Sequence, residues 1–225
     1  SPAVKNGLKW LVTGGATREY IDPVRYITNG SSGKTGLFIS DAAFKSGGDV
    51  TFIGVNVNAE NEYSFKSIRT ASAADTMEEV EKHVENTDIF VMSAAIADYT
   101  VLKSNSKIKK TGDGLTIELK RTEDILLKTR NMMKKGAVRV GFAAETEDLE
   151  KNCLLKMEKQ GLDMIVENIV SDSSNPFGSE NNSVVIHTSE GFEEHVNISK
   201  KLLGKIVVEK ALKIYEKKNG GKNEF

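Results

Sequence analysis

The feature that most constrains the fold is the alternation of short apolar runs with longer amphipathic stretches. The first run, residues 9–12, ends in Thr13-Gly14-Gly15, a pattern typical of a buried strand that enters a loop. Similar runs predict strands at 50–55, 88–93, 138–142, 163–166 and 183–187. Helical spacing predicts helices at 33–46, 75–85, 123–134, 148–160 and 199–217. This alternation predicts an α/β fold with a doubly wound, mostly parallel sheet and helices on both faces.

One segment interrupts the alternation. Residues 107–120 alternate residue types around Gly112-Asp113-Gly114, which predicts a β-hairpin. A hairpin that projects from such a sheet, here at about 105–120, is typical of a lid or a dimerisation arm. The length of 225 residues suits a single domain, 1–225, with this arm. The overall prediction is therefore Rossmann-like.

Composition limits the classes of partner. The net charge is −1, so no general basic field recruits nucleic acid, and any phosphate binding has to be local. Cys153 is the only cysteine, which excludes an intrachain disulfide and favours a cytoplasmic, reducing location. It lies in a Lys/Glu-rich helical stretch without a neighbouring histidine, so we expect a partly buried structural thiol rather than a nucleophile. No apolar run is long enough to cross a membrane. The start at Ser1-Pro2, without Met, suggests a piece of a longer chain.

Two glycine-rich segments suggest phosphate binding. The loop at 13–18 has paired glycines that allow close backbone approach, although a plain tight turn explains them almost as well. The segment 29–36 resembles a P-loop, but Thr28 stands where that motif needs glycine, so we reject that assignment. Its hydroxyls, glycines and helix start still converge on one place, which favours an anion site.

Other motifs are weaker when each is taken alone. Small residues follow the predicted strands at 93–98 and 142–146, where Asp98 could hold a cation or a hydroxyl and Phe142 is equally compatible with a base contact or the core. The cluster at 107–110 fits a cationic edge strand. The three histidines have no metal-ligand spacing, and metal ligands stay unassigned. Tyr99 and Lys103 match the dyad of NAD(P)-dependent short-chain dehydrogenases, but the glycines that accompany it are missing.

Taken together and in order, these segments resemble phosphopantothenoylcysteine synthetase, also called phosphopantothenate–cysteine ligase. The resemblance runs through residues 14–34, 94–99, 107–110, 141–146, 161–163, 168 and 177–179. It implies that 4′-phosphopantothenate is activated by CTP as an acyl-cytidylate, with Mg²⁺, and then coupled to L-cysteine in coenzyme A biosynthesis. It also implies a homodimer with shared active sites, joined by the hairpin arm. In many prokaryotes this domain is the C-terminal half of a bifunctional chain whose other half is a flavin-dependent phosphopantothenoylcysteine decarboxylase.

The resemblance implies roles for individual residues. Asn29 corresponds to the residue that contacts the acyl-nucleotidylate, and Lys107 to the lysine needed to form it. The substrate side comprises Arg25 of the neighbouring subunit together with Asn29, Ala94, Ala95 and Asp98. The nucleotide-side positions are Gly15, Ser31, Gly33, Gly36, Ser93, Ala94, Asp98, Lys107, Glu123, Asp124, Ile125, Leu126, Phe142, Lys156, Gln160 and Asn168.

Two positions depart from the family pattern. Gln160 stands where relatives often carry a second lysine near the phosphates, and Glu123 replaces a common proline. The choice between CTP and ATP is not fixed by side-chain identity, although the 107–110 cluster favours CTP. Two alternatives stay open: a dehydrogenase of the short-chain type, and a catalytically inactive dimerisation module.

Overall fold

A computed structural model describes residues 7–57, 59, 63–109, 112, 114–145, 149–169 and 180–220. Within them the elements follow one another as β1 (Lys9–Gly15), β2 (Arg18–Tyr20), β3 (Tyr26–Thr28), α1 (Lys34–Lys45), β4 (Asp49–Val55), β5 (Lys66–Thr70), α2 (Ala73–Val84), β6 (Ile89–Met92), β7 (Tyr99–Val101), β8 (Leu119–Arg121), α3 (Ile125–Lys128), β9 (Val138–Glu145), α4 (Leu149–Gln160), β10 (Met164–Ile169), β11 (Asn181–Thr188), β12 (Gly191–Ser199) and α5 (Lys200–Gly220).

Eight of these strands form one sheet in the order β12-β11-β10-β9-β6-β1-β4-β5. The strands from β10 to β5 are parallel, and β11 and β12 add an antiparallel edge. From β1 the chain builds outwards to β4 and β5, then returns to place β6 on the other side. Such a reversal of strand order opens a crevice at the carboxyl ends of the central strands.

Helices cover both faces of this sheet, as the sequence predicts. Trp10 and Val12 of β1 contribute to one core cluster, which α1 and α5 cover. Leu11 contributes to the opposite cluster, with residues of α2, α3 and α4. The sides alternate because successive side chains of a strand point to opposite faces. The α/β prediction with a mostly parallel sheet is therefore confirmed.

The two helices on the first face approach closely at Gly204 of α5. A Cβ atom there would lie 2.8 Å from the carbonyl carbon of Phe38 in α1. Since real Cβ atoms do not approach backbone so closely, only glycine fits without a shift of one helix. This contact fixes the start of α5 relative to the start of α1.

The predicted helix at 123–134 is wrong in its length, because α3 spans only Ile125–Lys128. In a longer helix the Leu126 carbonyl oxygen would accept a bond from the Arg130 amide. Instead that amide donates to Leu127, and the Leu126 carbonyl accepts from the guanidinium of Arg139. A side chain from the neighbouring strand β9 thus takes over the helix end.

The hairpin predicted at 107–120 is wrong in its place. The antiparallel pair is β7 with β8, and in the described part of 102–118 the structure has no strand. Ile108 explains this: its amide donates to Asp22 at 3.2 Å, and its carbonyl oxygen accepts from Arg25 at 2.9 Å. These bonds occupy the amide and the carbonyl that Ile108 would use to pair with a second strand. Lys110 and Asp113 lie outside the described residues.

The sequence interpretation missed two strands of the main sheet. These are β5 and β12, and they form its two edges. In β12 nearly every residue is exposed, so its hydrophobicity does not alternate and gives no signal.

Among the described residues, no helix combines the length and apolarity needed to cross a bilayer.

Candidate functional site

Two loops are joined at the carboxyl ends of β1 and β6. The Ala95 amide donates to the Gly15 carbonyl oxygen at 2.8 Å, and the Thr17 amide donates to Ala95 at 3.1 Å. The Ala94 amide donates to the Thr13 hydroxyl at 3.2 Å. The small residues after both strands therefore form one floor at the crevice that the strand order creates.

Glycines bring the start of α1 onto this floor. A Cβ atom on Gly36 would lie 2.9 Å from both the Gly14 Cα and the Thr13 carbonyl oxygen. Gly33 is the N-cap with φ +79, in the left-handed region that favours glycine. A side chain at either position would push the helix away from the strand. These glycines therefore act through backbone packing and place the first turn of α1 at the crevice.

Two adjoining cavities lie above the floor. The smaller has a volume of about 120 Å³, and its lining comprises 31–36, Ser93, Ala94, Ala95, 142–144, Asn168, Asn182 and Lys200. The larger has a volume of about 840 Å³, and its lining comprises Asn29, Met92, 94–96, Asp98, 121–127, 142–144, Leu155, Lys156, Lys159 and Gln160. Residues 94, 95 and 142–144 belong to both linings and form their common boundary.

The turn before α3 lines the larger cavity and is held from two sides. The Asp124 carboxylate accepts from the Leu127 amide at 3.0 Å and so caps the helix. It also accepts from the Gln160 side-chain amide at 2.8 Å. Gln160, the departure from the family pattern, thus contributes a hydrogen bond to the cavity wall where a lysine would contribute a charge. Glu123 pairs with Lys128 at 2.9 Å.

Arg25 and Lys107 line neither of these cavities. Arg25 forms an ion pair with Asp22, whose side chain is buried. This arginine, helped by amide donors, holds the pKa of the Asp22 carboxyl well below its usual range, although burial opposes the shift. Asp22 accepts a hydrogen bond from the Ile108 amide, and Arg25 donates one to the Ile108 carbonyl oxygen. These two bonds set the position of the adjacent, exposed Lys107. We call this arrangement the Asp22–Arg25 clamp.

The other sequence-predicted residues lie at the crevice. Ser31, Gly33, Gly36, Ser93 and Asn168 line the smaller cavity. Asn29, Asp98, Lys156, Gln160 and residues 123–126 line the larger one. Ala94, Ala95 and Phe142 line both. Gly15 lines neither, and its φ of +105 instead lets β1 turn beneath α1.

The sequence interpretation missed several polar residues of the lining, namely Arg121, Lys159, Asn182 and Lys200. Lys200, the first residue of α5, is buried, which its sequence does not indicate. Nothing in its own neighbourhood distinguishes it from Lys201.

Tyr99 and Lys103 do not form a catalytic dyad. Tyr99 begins strand β7, so the pair lacks the helical spacing that brings such side chains together. The Lys103 ammonium lies 5.3 Å from the centre of the Tyr20 ring. The one motif that suggested a short-chain dehydrogenase, the Tyr99–Lys103 dyad, is therefore not formed.

Cys153 is more deeply buried than predicted, and a histidine lies near it in space. The Cys153 sulfur, a Glu167 carboxylate oxygen and a His187 ring nitrogen lie within 4.8 Å of one another. The spacing of the histidines in the sequence therefore did not reveal that one of them lies beside a cysteine and a carboxylate in the fold. The His187 Nε2 and Glu167 Oε2 atoms are 3.0 Å apart. The group lies in the protein interior, away from the crevice lining.

Comparisons with known proteins match the fold and most of the chain. Residues 5–215 match the family described as DNA/pantothenate metabolism flavoprotein C-terminal domain. The coenzyme A biosynthesis bifunctional protein of Bacillus subtilis is 40% identical over 194 residues, which cover 85% of this chain and 48% of that protein. The Vibrio cholerae protein of the same name is 37% identical over 194 residues, 85% of this chain and 49% of that protein.

A solved structure extends the agreement to three dimensions. The crystal structure of the C-terminal domain of a coenzyme A biosynthesis bifunctional protein superposes with a TM-score of 0.78 at 31% identity. The match covers 96% of this chain and all of that chain. The present chain thus spans about half the length of the curated relatives it matches.

Proposed function

This chain belongs to the family of the DNA/pantothenate metabolism flavoprotein C-terminal domain, and on that premise we propose that it is a phosphopantothenate–cysteine ligase. In the proposed reaction the carboxylate of 4′-phosphopantothenate attacks the α-phosphate of CTP, forming an acyl-cytidylate and releasing pyrophosphate. The amine of L-cysteine then attacks the acyl carbon, loses a proton to solvent and displaces CMP. Activation is needed because a free carboxylate is a poor acyl donor at neutral pH.

The observation that carries this proposal is the pair of adjoining cavities with a common boundary. A reaction between two phosphorylated substrates needs two subsites whose contents meet at one place. Residues 94, 95 and 142–144 provide that boundary, because each of them belongs to both linings. Small side chains at 94 and 95 leave room for the reacting groups above the floor.

Charges around the larger cavity suit a nucleoside triphosphate. Arg121, Lys156 and Lys159 line it and provide cations for phosphate oxygens. Asn29 lines the same cavity, so its amide is in place to contact an acyl-nucleotidylate. Lys107 approaches from the segment held by the Asp22–Arg25 clamp. We propose that its ammonium neutralises charge that develops on the α-phosphate.

Magnesium bound with CTP supplies further neutralisation of the triphosphate. Of the acidic side chains that line the larger cavity, Glu123 and Asp124 already have partners. Asp98 lines it as well, is exposed, and in the described part of the chain its carboxylate makes no hydrogen bond or ion pair. A carboxylate oxygen is a fitting Mg²⁺ ligand, so we assign the ion to Asp98.

The assembly around this domain is part of the proposal. We propose a cytoplasmic homodimer in which Arg25 reaches the phosphopantothenate of the neighbouring subunit, and a flavin-dependent decarboxylase domain in the same chain. The length of the curated relatives, about twice that of the matched region, supports such a second domain.

Pyrophosphate release tests the reaction. Purified protein is incubated with 4′-phosphopantothenate, L-cysteine and Mg²⁺, and initial rates with CTP and ATP are compared. We expect cysteine-dependent formation of phosphopantothenoylcysteine with a higher rate for CTP. No pyrophosphate with either nucleotide, together with tight binding of reduced nicotinamide cofactor, would favour the dehydrogenase alternative.

Variants separate the two half-reactions. Without cysteine, Lys107→Gln is expected to slow pyrophosphate release by about 100-fold, the usual scale for one transition-state contact. Asn29→Asp is expected to form the acyl-cytidylate but to slow its conversion after cysteine is added. Lys135→Gln, an exposed lysine outside both linings, is the matched control. Unchanged activity in the first two variants contradicts the assigned roles, whereas a wild type without any activity would favour an inactive dimerisation module.

A further inference from the structure

Lys200, the first residue of α5, lies almost fully inside the protein. Only 3% of its surface is exposed, and its side chain lines the smaller cavity. The sequence interpretation gave it no role. A buried lysine is costly unless a partner compensates its charge, so its surroundings have to be accounted for.

In the part of the chain that the structure describes, the Lys200 ammonium makes no hydrogen bond or ion pair. Glu180, the acid whose charge acts on Lys200, is already paired with Lys34. Burial and the neighbouring charge of Lys34 lower the pKa of the Lys200 ammonium, while Glu180 only partly opposes the shift. Among the described residues the group therefore lacks the anion that a buried cation normally has.

The lining of the smaller cavity, as far as the structure describes the chain, also lacks an anion. It contains Lys34 and Lys200 but neither aspartate nor glutamate. The N-cap of α1, Gly33, makes no side-chain capping bond, and of the first three amides of this 12-residue helix only that of Lys34 has a side-chain acceptor in the described chain, the Ser32 hydroxyl at 3.5 Å. The hydroxyls of Ser31 and Ser32 complete the lining on that side. Donors and positive charge thus converge on the cavity from two helix starts.

We propose that Lys200, with the start of α1, binds a terminal phosphate group of one of the two phosphorylated substrates. The inference rests on the proposed ligase function and deepens it. A volume of about 120 Å³ suits a phosphate group, whereas pockets for whole drug-sized ligands usually measure about 300–1,000 Å³. The phosphate belongs either to 4′-phosphopantothenate or to CTP, and the rest of that molecule extends across the boundary at 94, 95 and 142–144.

The contact between α1 and α5 explains how Lys200, which is far from α1 in the sequence, comes to line the same cavity. Gly204 lies one turn beyond Lys200 and packs against the backbone of Phe38. This contact ties the start of α5 to α1. The cation and the amides of α1 therefore form a preorganised pair of anion-binding elements.

Binding measurements on three variants test the inference. Lys200→Met removes the charge and keeps an apolar stem, Lys200→Arg keeps the charge, and Lys201→Met is the matched control at an exposed position of the same helix. Calorimetric titration gives the Kd of wild type and variants for CTP, 4′-phosphopantothenate and unphosphorylated pantothenate.

Lys200→Met is expected to raise the Kd of one phosphorylated ligand by about 10–100-fold, the scale of a charge-assisted hydrogen bond. Lys200→Arg is expected to restore most of this loss, and Lys201→Met to behave as wild type. A loss confined to CTP places the nucleotide's terminal phosphate at Lys200. A loss for 4′-phosphopantothenate but not pantothenate places the 4′-phosphate there. Equal Kd values in wild type and Lys200→Met for both phosphorylated ligands overturn the inference.

Thermal unfolding without ligand separates binding from a structural role. Removing an unpaired buried charge should leave Tm unchanged or raise it. A marked fall in the Tm of Lys200→Met would instead make Lys200 a structural residue and contradict the proposal. If wild type neither binds nor turns over the ligands, the ligase function itself fails. If wild type is active and Lys200→Met binds as wild type, only the inference fails.

Discussion

Arg139→Met tests how the wall of the larger cavity is held. Arg139 projects from β9 and is 5% exposed. Its guanidinium donates to the Thr129 carbonyl oxygen at 3.0 Å and to that of Leu126, at the end of α3. Burial lowers the pKa of this guanidinium to about 10, so the side chain is still charged at neutral pH. The substitution keeps the apolar stem and removes both donors.

The expected loss follows mainly from the Leu126 carbonyl group, which is left without a donor among the described residues, because the Thr129 carbonyl oxygen still accepts from the Met132 amide at 3.1 Å. A buried acceptor without a partner costs about 1–3 kcal/mol, and the lost bond to Thr129 adds about 1 kcal/mol. Relief of the buried charge offsets part of this, because Nε of Arg139 has no acceptor among the described residues. We therefore expect the free energy of unfolding to fall by about 2 kcal/mol.

Urea unfolding at pH 7 measures this change. Arg130→Met is the control, because Arg130 is exposed and exposed substitutions usually change stability by less than about 0.5 kcal/mol. The KM for the nucleotide should also rise in Arg139→Met, since the turn before α3 lines the larger cavity. Equal urea midpoints for Arg139→Met and wild type would refute the argument that these bonds hold α3.

Three further substitutions probe other parts of the site and the core. Asp88→Asn should lower the free energy of unfolding at pH 7. Burial would raise the pKa of the Asp88 carboxyl, but hydrogen bonds from neighbouring donors outweigh burial and hold this pKa below 3.8. The difference from wild type should therefore vanish as the pH falls through the lowered pKa, which acid titrations monitored by circular dichroism can measure. Gly36→Ala should displace α1 and weaken CTP binding in calorimetry, whereas Gly220→Ala, with open space around its Cβ, should not. Asp22→Asn should lower kcat more than it raises the KM for CTP, because the clamp sets the position of Lys107; an unchanged kcat would dismiss that role.

Local patterns predicted the elements that local forces determine. The apolar run that forms β1 and its glycine loop was recognisable because burial on both faces leaves a continuous apolar segment. The amphipathic helix α2 begins at the Ser72 capping box, which needs only residues three apart in the chain. For such segments, sequence and tertiary structure agree.

Long-range hydrogen bonds account for the failures. The Asp22–Arg25 clamp holds a backbone more than eighty residues away, so the pattern at 107–120 could not reveal that pairing was blocked. Arg139 ends α3 from a strand that follows it in the chain. The family resemblance indicated the crevice residues, but Lys200 reaches the crevice only through the packing of α5 on α1, which no local pattern records.

The order of the strands also has a consequence for synthesis on the ribosome. Strand β1 is the first strand of this domain to be synthesised but lies inside the sheet, between β4 and β6. One of its faces is completed only when α5, the last described element, packs beside α1. Trp10 and Val12 are therefore expected to stay accessible to chaperones while most of this domain is translated, and folding of the domain is expected to wait for nearly its whole length.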